Sequence, residues 1–334
     1  MKLNINLVIP KQIKIRVDGN GQIGLGHVVR CLSLAHMLKN DFKITFNLRI
    51  SNDFTGNYID SEGFEVNILK DEFTFISSLK ASDIVVLDGY HFDIEYQHQV
   101  KSRAKLFYID DFGRGEYDVD SILNHAPGIS QKDYSTNPET RFLLGPSYAL
   151  LRPAFLEPSH VRPGIPIKNI LICFGGADPQ NLTLSTLQAL HRKDLSFTII
   201  IGGAYAFQSE LIAYIDRLKV DVKILQNIGA PDMKREMESS DLVVVPSSGI
   251  LFEAIAVGVP IISGYYVDNQ KTIYEGFKKK QVFEDAGNFE QEKLLNCMSN
   301  LSETKILSIL KNQSECIDGL SGERILEHFK SLAS

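Results

Sequence analysis

Cysteine is scarce in this chain of 334 residues. There are four, Cys31, Cys173, Cys297 and Cys316, and no two form a CxxC pair. That spacing speaks against a disulfide framework or a zinc site, and Cys31 and Cys173, inside apolar runs, read as small buried hydrophobes. An excess of positive charge is also missing. The 35 Lys and Arg stand against 41 Asp and Glu, a formal charge of −6, so nothing electrostatic points to nucleic acid. A local basic pocket for a phosphate stays compatible with this balance, because net charge does not fix the local field. Long apolar runs are lacking: none approaches the roughly 18 residues of a membrane span. Residues 1–21 hold no stretch of signal-peptide length, and the expected setting is a reducing cytoplasm. HExxH, GK[ST] and GxSxG patterns are absent too, which leaves metalloprotease, P-loop and esterase readings unsupported. No metal, no cofactor and no obligate protein partner is called for.

What is present is alternation. Strand candidates in the first half are 13–17, 44–50, 64–69, 83–88, 105–109 and 121–123, with the clearest helices at 26–38 and 92–101. The second half repeats the plan, with strands at 169–174, 197–201, 222–225, 242–245 and 260–263. Helices there are expected at 182–190, 207–218, 231–239, 250–257 and 271–279, followed by a helical tail over 290–332. Strand–helix alternation predicts parallel sheets with helices on both faces, and the nearly all-apolar run DIVVLD at 83–88 suits a strand covered on both sides. The segment 157–166 (EPSHVRPGIP) carries three prolines and a glycine, which argues against regular structure. It reads as a linker between an N-terminal domain at 1–156 and a C-terminal domain at 167–334. The expected fold is α/β with two Rossmann-like domains, and ligands in such sheets bind outside the C-terminal strand ends.

Three strand-to-helix turns stand out. The first runs from Arg16 and Asp18 through a loop with four glycines, Gly19, Gly21, Gly24 and Gly26, to His27 and Arg30. Glycines allow close backbone approach, and a helix start offers free N–H groups and a positive dipole to a phosphate. The spacing is not GxGxxG, so a nicotinamide fingerprint is poorly met. At a helix start the dipole disfavours an imidazolium, so His27 is expected neutral and able to take a proton; the competing reading is a ring with only a structural hydrogen bond. The second turn follows Phe174 with Gly175, Gly176, Asp178 and Asn181. It is either a phosphate contact or a tight turn in which Asp178 or Asn181 caps the next helix. The third follows the strand at 242–245 with Ser247, Ser248 and Gly249, hydroxyls and N–H groups suited to a diphosphate. Glu253, four residues on, is placed to accept from ribose hydroxyls unless it is solvated or paired. Asp88, Tyr90, the Asp110–Asp111 pair, Asn269 and Gln270 follow strand ends and more often serve as turn or cap residues.

At these residues the chain resembles the UDP-sugar hydrolases of bacterial pseudaminic acid biosynthesis, relatives of the GT-B glycosyltransferases. The resemblance is carried by Arg16, Asp18, Gln22, Ile23, Gly24, Gly26, His27 and Arg30, by Asp88 and Tyr90, and by Ser147 through Arg152. Gly175, Gly176, Asp178, Asn181, Ser247, Ser248, Glu253, Ala254, Asn269 and Gln270 complete it. The stretch IGxGHxxR is its most specific part; the GGADP and SSGxxxEA stretches also occur in GT-B transferases and bear on fold. The resemblance implies a GT-B arrangement and hydrolysis of UDP-2,4-diacetamido-2,4,6-trideoxy-β-L-altrose to UDP and free sugar. It implies His27 as the base that activates water, with Tyr90 and Asn269 near the sugar. It further implies Glu253 near the ribose, and substrate contacts from Asp18, Gly24, Gly26, Gly175, Gly176, Asp178, Ser247, Ser248, Gly249 and Gln270. Two departures are visible: about ten extra residues precede the first strand, and 111–141 differs from the family pattern, which bears on the sugar accepted. A GT-B glycosyltransferase, a non-catalytic nucleotide-sugar sensor and a two-domain UDP-sugar epimerase are the competing readings.

Overall fold

The computed structural model of the protein describes residues 11–19, 26–50, 53–159, 165–218 and 220–334. They divide into two compact units. The first opens with β1 (Gln12–Val17), α1 (Gly26–Leu38), β2 (Lys43–Leu48), α2 (Asp53–Ser61), β3 (Glu65–Ile68), α3 (Glu72–Ser77), β4 (Ile84–Asp88), α4 (Ile94–Lys101) and β5 (Lys105–Ile109). Four short strands follow, β6 (Gly115–Tyr117), β7 (Ser121–Asn124), β8 (Tyr134–Thr136) and β9 (Arg141–Leu144). Seven strands form one sheet in the order β3-β2-β1-β4-β5-β7-β9, while β6 and β8 pair separately. The pairs from β3 through β7 are parallel.

The second unit contains β10 (Asn169–Ile172), α5 (Leu182–Leu190), β11 (Ser196–Ile201), α6 (Gln208–Ile215), β12 (Asp221–Gln226), α7 (Ala230–Glu238), β13 (Leu242–Pro246) and α8 (Gly249–Val257). It continues with β14 (Ile261–Gly264), α9 (Lys271–Lys280), β15 (Glu284–Gly287), α10 (Gln291–Asn300) and α11 (Glu303–Ser314). Its sheet runs β12-β11-β10-β13-β14-β15 and is parallel throughout. The strands alternate between two buried clusters. Leu171, Val243, Val245 and Ile261 face Met237, Leu251, Phe252 and Phe277. Ile170, Ile172, Val244 and Ile262 face Leu187, Leu211 and Leu294. Both faces are thus dry, which is why β13 reads as an unbroken apolar run. Replacing Phe252, 1% exposed, by Ala would cost about 3–5 kcal/mol.

The units are not contiguous in sequence. Helix α12 (Ser321–Leu332) returns to the first unit, because its buried Ile325 and Phe329 complete an aromatic cluster there: Phe329 lies 4.6 Å from Phe107 and 6.2 Å from Phe42 between ring centroids. Residues 125–129 and 144–156 go with the second unit, where Ala149, Leu151 and Phe155 join the β10–β13 core. The change of unit near Leu144 therefore precedes the proline-rich 157–166, of which 160–164 lie outside the described residues. Among the described residues, no helix is long and apolar enough to cross a membrane.

The two sheets share one strand plan. In each unit the first described strand, β1 or β10, is central; the chain then moves outward on one side and crosses back to β4 or β13 on the other. Ligands of doubly wound sheets bind where the order reverses, beyond the carboxyl ends of those two strands. In the first unit that places residues after Val17 and Asp88 side by side, since Val17 and Asp88 are register partners. In the second it places the turns after β10 and β13 together.

Candidate functional site

In the first unit the parallel register builds a charged cluster. Asp88 ends β4 beside Val17, and on its other side it is level with Ile109, so the residues that follow β5, Asp110 and Asp111, arrive near it. Helix α1 begins at Gly26, which is exposed, and presents His27 and Arg30, three residues apart on one helix face. His27 Nδ1 is 2.6 Å from Asp88 Oδ1. Arg30 donates through Nε to Asp88 Oδ2 at 2.6 Å and through Nη2 to Asp88 Oδ1 at 2.5 Å, and its Nη1 donates to Asp111. Arg30 Nη2 also lies 3.0 Å from His27 Nδ1. Arginine only donates and an ionised carboxylate only accepts; in the tautomer that fits the shorter contact Nδ1 carries the proton and donates a hydrogen bond to Asp88, leaving Nε2 as the ring's basic atom.

Burial pushes the Asp88 carboxyl up, but Arg30 and His27 outweigh it and hold the group well below the usual carboxylate range. Asp111 is likewise raised by burial and lowered more by Arg30, with a net depression. Cys31 Sγ donates to Asp88 Oδ2 at 3.3 Å; burial first, then the neighbouring carboxylate, push its thiol far up, so it is no nucleophile. Tyr90 is half-exposed, donates to Asp111 Oδ2 at 2.8 Å, and stands edge-on to His27 at 4.8 Å between centroids. A cavity of about 180 Å³ opens beside Tyr90 and Asp111, lined also by Phe112, Tyr117 and Glu116.

Asp18, expected among the substrate contacts, is turned inward. It is 3% exposed; Oδ1 accepts from Arg16 Nη1 and from the backbone N–H groups of Arg49 and Ile50, and Oδ2 accepts from Arg16 Nη2. It joins the ends of β1 and β2. Arg16 is itself fully buried and reaches Glu72 at 2.6 Å. Asp110, half of the adjacent pair, is spent elsewhere: it accepts from the hydroxyls of Tyr117 and Tyr134, from Asn124 and from the Phe112 and Gly113 backbone. Gly24 lies outside the described residues.

In the second unit, Gly175 sits at φ +85°, a conformation that favours glycine, and Gly202 packs so closely on Gly176 that a Cβ there would fall 2.3 Å from the Gly176 carbonyl oxygen. Asp178 is 2% exposed and caps α5, accepting from the N–H groups of Leu182 and Thr183 at 2.8 and 2.7 Å. Ser247 is fully buried and shares a hydrogen bond with Ser263 at 3.1 Å, so its hydroxyl faces the core and not the turn. Ser248 is the N-cap of α8 without a side-chain cap bond, and Gly249 is exposed. The α8 start therefore presents backbone N–H groups of Gly249 and Ile250 with the positive end of the helix dipole. Glu253, one turn in and 7% exposed, is held by Arg152. Asn269 is exposed in the short turn Asp268–Gln270, whereas Gln270 is buried and accepts from Tyr266 N at 3.0 Å.

The structure therefore gathers His27 with Tyr90 in one unit, and the α8 start with Glu253 in the other, where Asn269 also lies. It turns Asp18, Asp178, Ser247 and Gln270 to internal bonds. Sequence reasoning assigned no part to Arg30 and only a weak one to Asp111. The i, i+3 spacing of His27 and Arg30 was the available signal for the first; the second needed the β4–β5 register.

No family model matches the chain. It is 29% identical over 286 residues to an uncharacterized protein of Methanocaldococcus jannaschii, covering 80% of this chain and 58% of that protein, so it spans less than two thirds of that relative. It is 27% identical over 329 residues to the spore coat polysaccharide biosynthesis protein SpsG of Bacillus subtilis, covering 92% and 94% of the two chains. It is 23% identical over 278 residues to the UDP-2,4-diacetamido-2,4,6-trideoxy-beta-L-altropyranose hydrolase of Campylobacter jejuni, covering 80% and 97%. Among solved structures it is similar to MurG of Acinetobacter baumannii, with a TM-score of 0.66 at 12% identity over 96% of this chain and all of that one. It is also similar to HepE of Anabaena in complex with UDP-glucose, with a TM-score of 0.58 at 12% identity over 96% and 99%. The fold is that of the GT-B glycosyltransferases and related epimerases.

Proposed function

We propose that this protein is a nucleotide-sugar hydrolase that breaks the anomeric C1–O bond of a UDP-linked diacetamido-trideoxy sugar, releasing UDP and the free sugar with inversion, without a cofactor. The observation that carries the reading is the 2.6 Å contact between His27 Nδ1 and Asp88 Oδ1, with Asp88 clamped by Arg30. A base whose second nitrogen is fixed by a carboxylate has one tautomer and one aim. His27 Nε2 takes a proton from water as the oxygen attacks C1, a contribution of about 10²–10⁴-fold. Asp88 keeps its charge and stabilises the imidazolium that forms. Tyr90 and Asn269 contact the sugar. The N–H groups at the start of α8, with the Ser248 hydroxyl, take up the charge that grows on the leaving diphosphate, and Glu253 accepts from the ribose. Similarity to the altropyranose hydrolase and to SpsG supports the substrate class, and residues 23–30 with their glycines and His27 support hydrolysis.

The second reading is a GT-B glycosyltransferase, favoured by the fold of MurG; a hydroxyl acceptor would replace water before the same base. Incubating a panel of UDP-sugars with the protein and no acceptor separates the two. Fast release of UDP and free sugar supports hydrolysis, and UDP release that waits on an added acceptor supports transfer.

A further inference from the structure

We propose that Asp111 is a positioning residue for His27, supplying through Arg30 the unbalanced negative charge that stabilises the imidazolium once His27 has taken up a proton, and holding Tyr90 against the imidazole. The proposal rests on His27 acting as the base. The charge count carries it. Arg30 bridges Asp88 and Asp111, so one cation faces two carboxylates, and with His27 neutral the cluster holds a net charge of −1. Asp88 alone would be cancelled by Arg30. With Asp111 present, a proton arriving on His27 brings the cluster to neutrality, and in a half-buried setting a balanced cluster is favoured.

The other groups facing His27 do not supply this charge. From the loop after β4 come Tyr90 and His91; burial lowers the His91 ring's proton affinity, against an opposing pull from Asp18. From the end of β1 comes Asp18, already matched by Arg16 at 2.7 Å. Residues 20–25 carry no charged side chain. Tyr108, on β5, spends its hydroxyl on the Gly89 carbonyl at 2.9 Å. Asp111 also fixes geometry: its Oδ2 accepts from Tyr90, and the Tyr90 ring is braced by Phe112 at 4.9 Å on one side and His27 at 4.8 Å on the other.

The test is the protonation of His27 followed by NMR in the full chain, its resonance assigned by loss in His27→Asn. Removing one charge across a partly shielded gap should lower the pH at which the ring gains its proton by about one unit in Asp111→Asn, and the acid limb of the kcat/KM profile should move with it. Asp111→Glu keeps the charge and should keep the wild-type midpoint. Tyr90→Phe keeps the charge but frees the ring, so it should leave the midpoint in place while lowering kcat. If Asp111→Asn does not fold, Asp111→Ser carries the same expectation. An unchanged midpoint in the neutral variants, or an equal shift in Tyr90→Phe, overturns the proposal. The NMR arm stands without turnover, so a wild-type protein that releases no UDP would sink the hydrolase reading alone.

Discussion

Arg152 and Glu253 meet in a two-point ion pair: Nε reaches Oε1 at 2.6 Å and Nη2 reaches Oε2 at 2.8 Å. The pair ties the segment before the proline-rich stretch to the second turn of α8. It aims the carboxylate by geometry rather than by the rotamer alone, and each oxygen keeps a further lone pair able to accept another hydrogen bond.

The first prediction follows from that pair. Glu253→Ala should weaken UDP binding by about 1–3 kcal/mol, the loss of charge-assisted hydrogen bonds. Glu253→Gln should fall between, since it accepts with one oxygen and no charge. Calorimetric titration with UDP decides it, and equal affinity in wild type and Glu253→Ala would remove Glu253 from the nucleotide site.

Asp178 is expected to behave in the opposite way. Its two oxygens cap α5, and its backbone is left-handed at φ +42°. Asp178→Ala should therefore cost about 1–2 kcal/mol of stability while UDP affinity stays near wild type. Asn, which caps and tolerates that backbone, should recover most of the loss. Denaturant melts beside the same titration read both quantities.

The contrast between these two acids shows what sequence could carry. Asp178 lies in the glycine-rich turn after β10 and Glu253 one helical turn beyond the serine-rich turn after β13, and both were expected near the ligand. Local pattern places a carboxylate at a turn but does not say whether its own helix start will take it. The regular elements were legible: strand Lys105–Ile109, mostly apolar as a dry parallel strand is, and helix Leu182–Leu190 both coincide with their expected spans. The edges were not. Strand β15 reads EDAG and β6 reads GEY, with few of the β-branched residues that mark a strand, and both are held by neighbours. The return of α12 to the first unit was hidden as well, because an amphipathic helix does not name the core it will cover. His27 was found from its glycine loop and Arg30 shares its helix, while Asp88 and Asp111 are brought to the two of them only by sheet register, over sequence separations of 58 to 81.

The α12 docking has a pH signature. His328 Nε2 is 2.8 Å from Ser121 Oγ; burial, with a smaller push from Arg141, lowers its ring to about 4 from an ordinary 6.5. A base whose folded value is depressed costs nothing above the unfolded value. The cost grows as pH falls from about 6.5, and it is complete below about 4. The ring is partly exposed, so the full shift must be discounted for screening, leaving about 1–2 kcal/mol. Stability should fall over that window in wild type, and the fall should be smaller in His328→Gln. Parallel slopes of unfolding free energy against pH would reject it.

His27 carries the direct kinetic test. His27→Asn or His27→Leu should lower turnover about 10²-fold or more with UDP affinity nearly unchanged, since the lost contact acts on the transition state. Asp88→Asn should approach the same loss, because an amide at that place no longer enforces the Nδ1–H tautomer. Near-normal turnover in His27→Leu would remove the base from the mechanism.

The site of bond cleavage separates this scheme from attack at phosphorus. If His27 activates water at C1, the sugar's C1–O bond breaks and the bridging oxygen leaves with UDP. Oxygen-18 from labelled water should then appear in the free sugar and not in UDP. One displacement from the face opposite the leaving group inverts once, so NMR at early times should show the inverted anomer before mutarotation. Attack at phosphorus would put the label in a phosphate and leave C1 untouched; it usually recruits a divalent metal on clustered carboxylates. Here the adjacent carboxylates serve other partners: Asp110 accepts from Tyr117 and Tyr134, and Asp111 from Arg30 and Tyr90. Turnover should accordingly persist in EDTA. Label in the UDP, retention at C1, or activity abolished by EDTA and restored by a divalent cation would each tell against His27 as the base for attack at carbon.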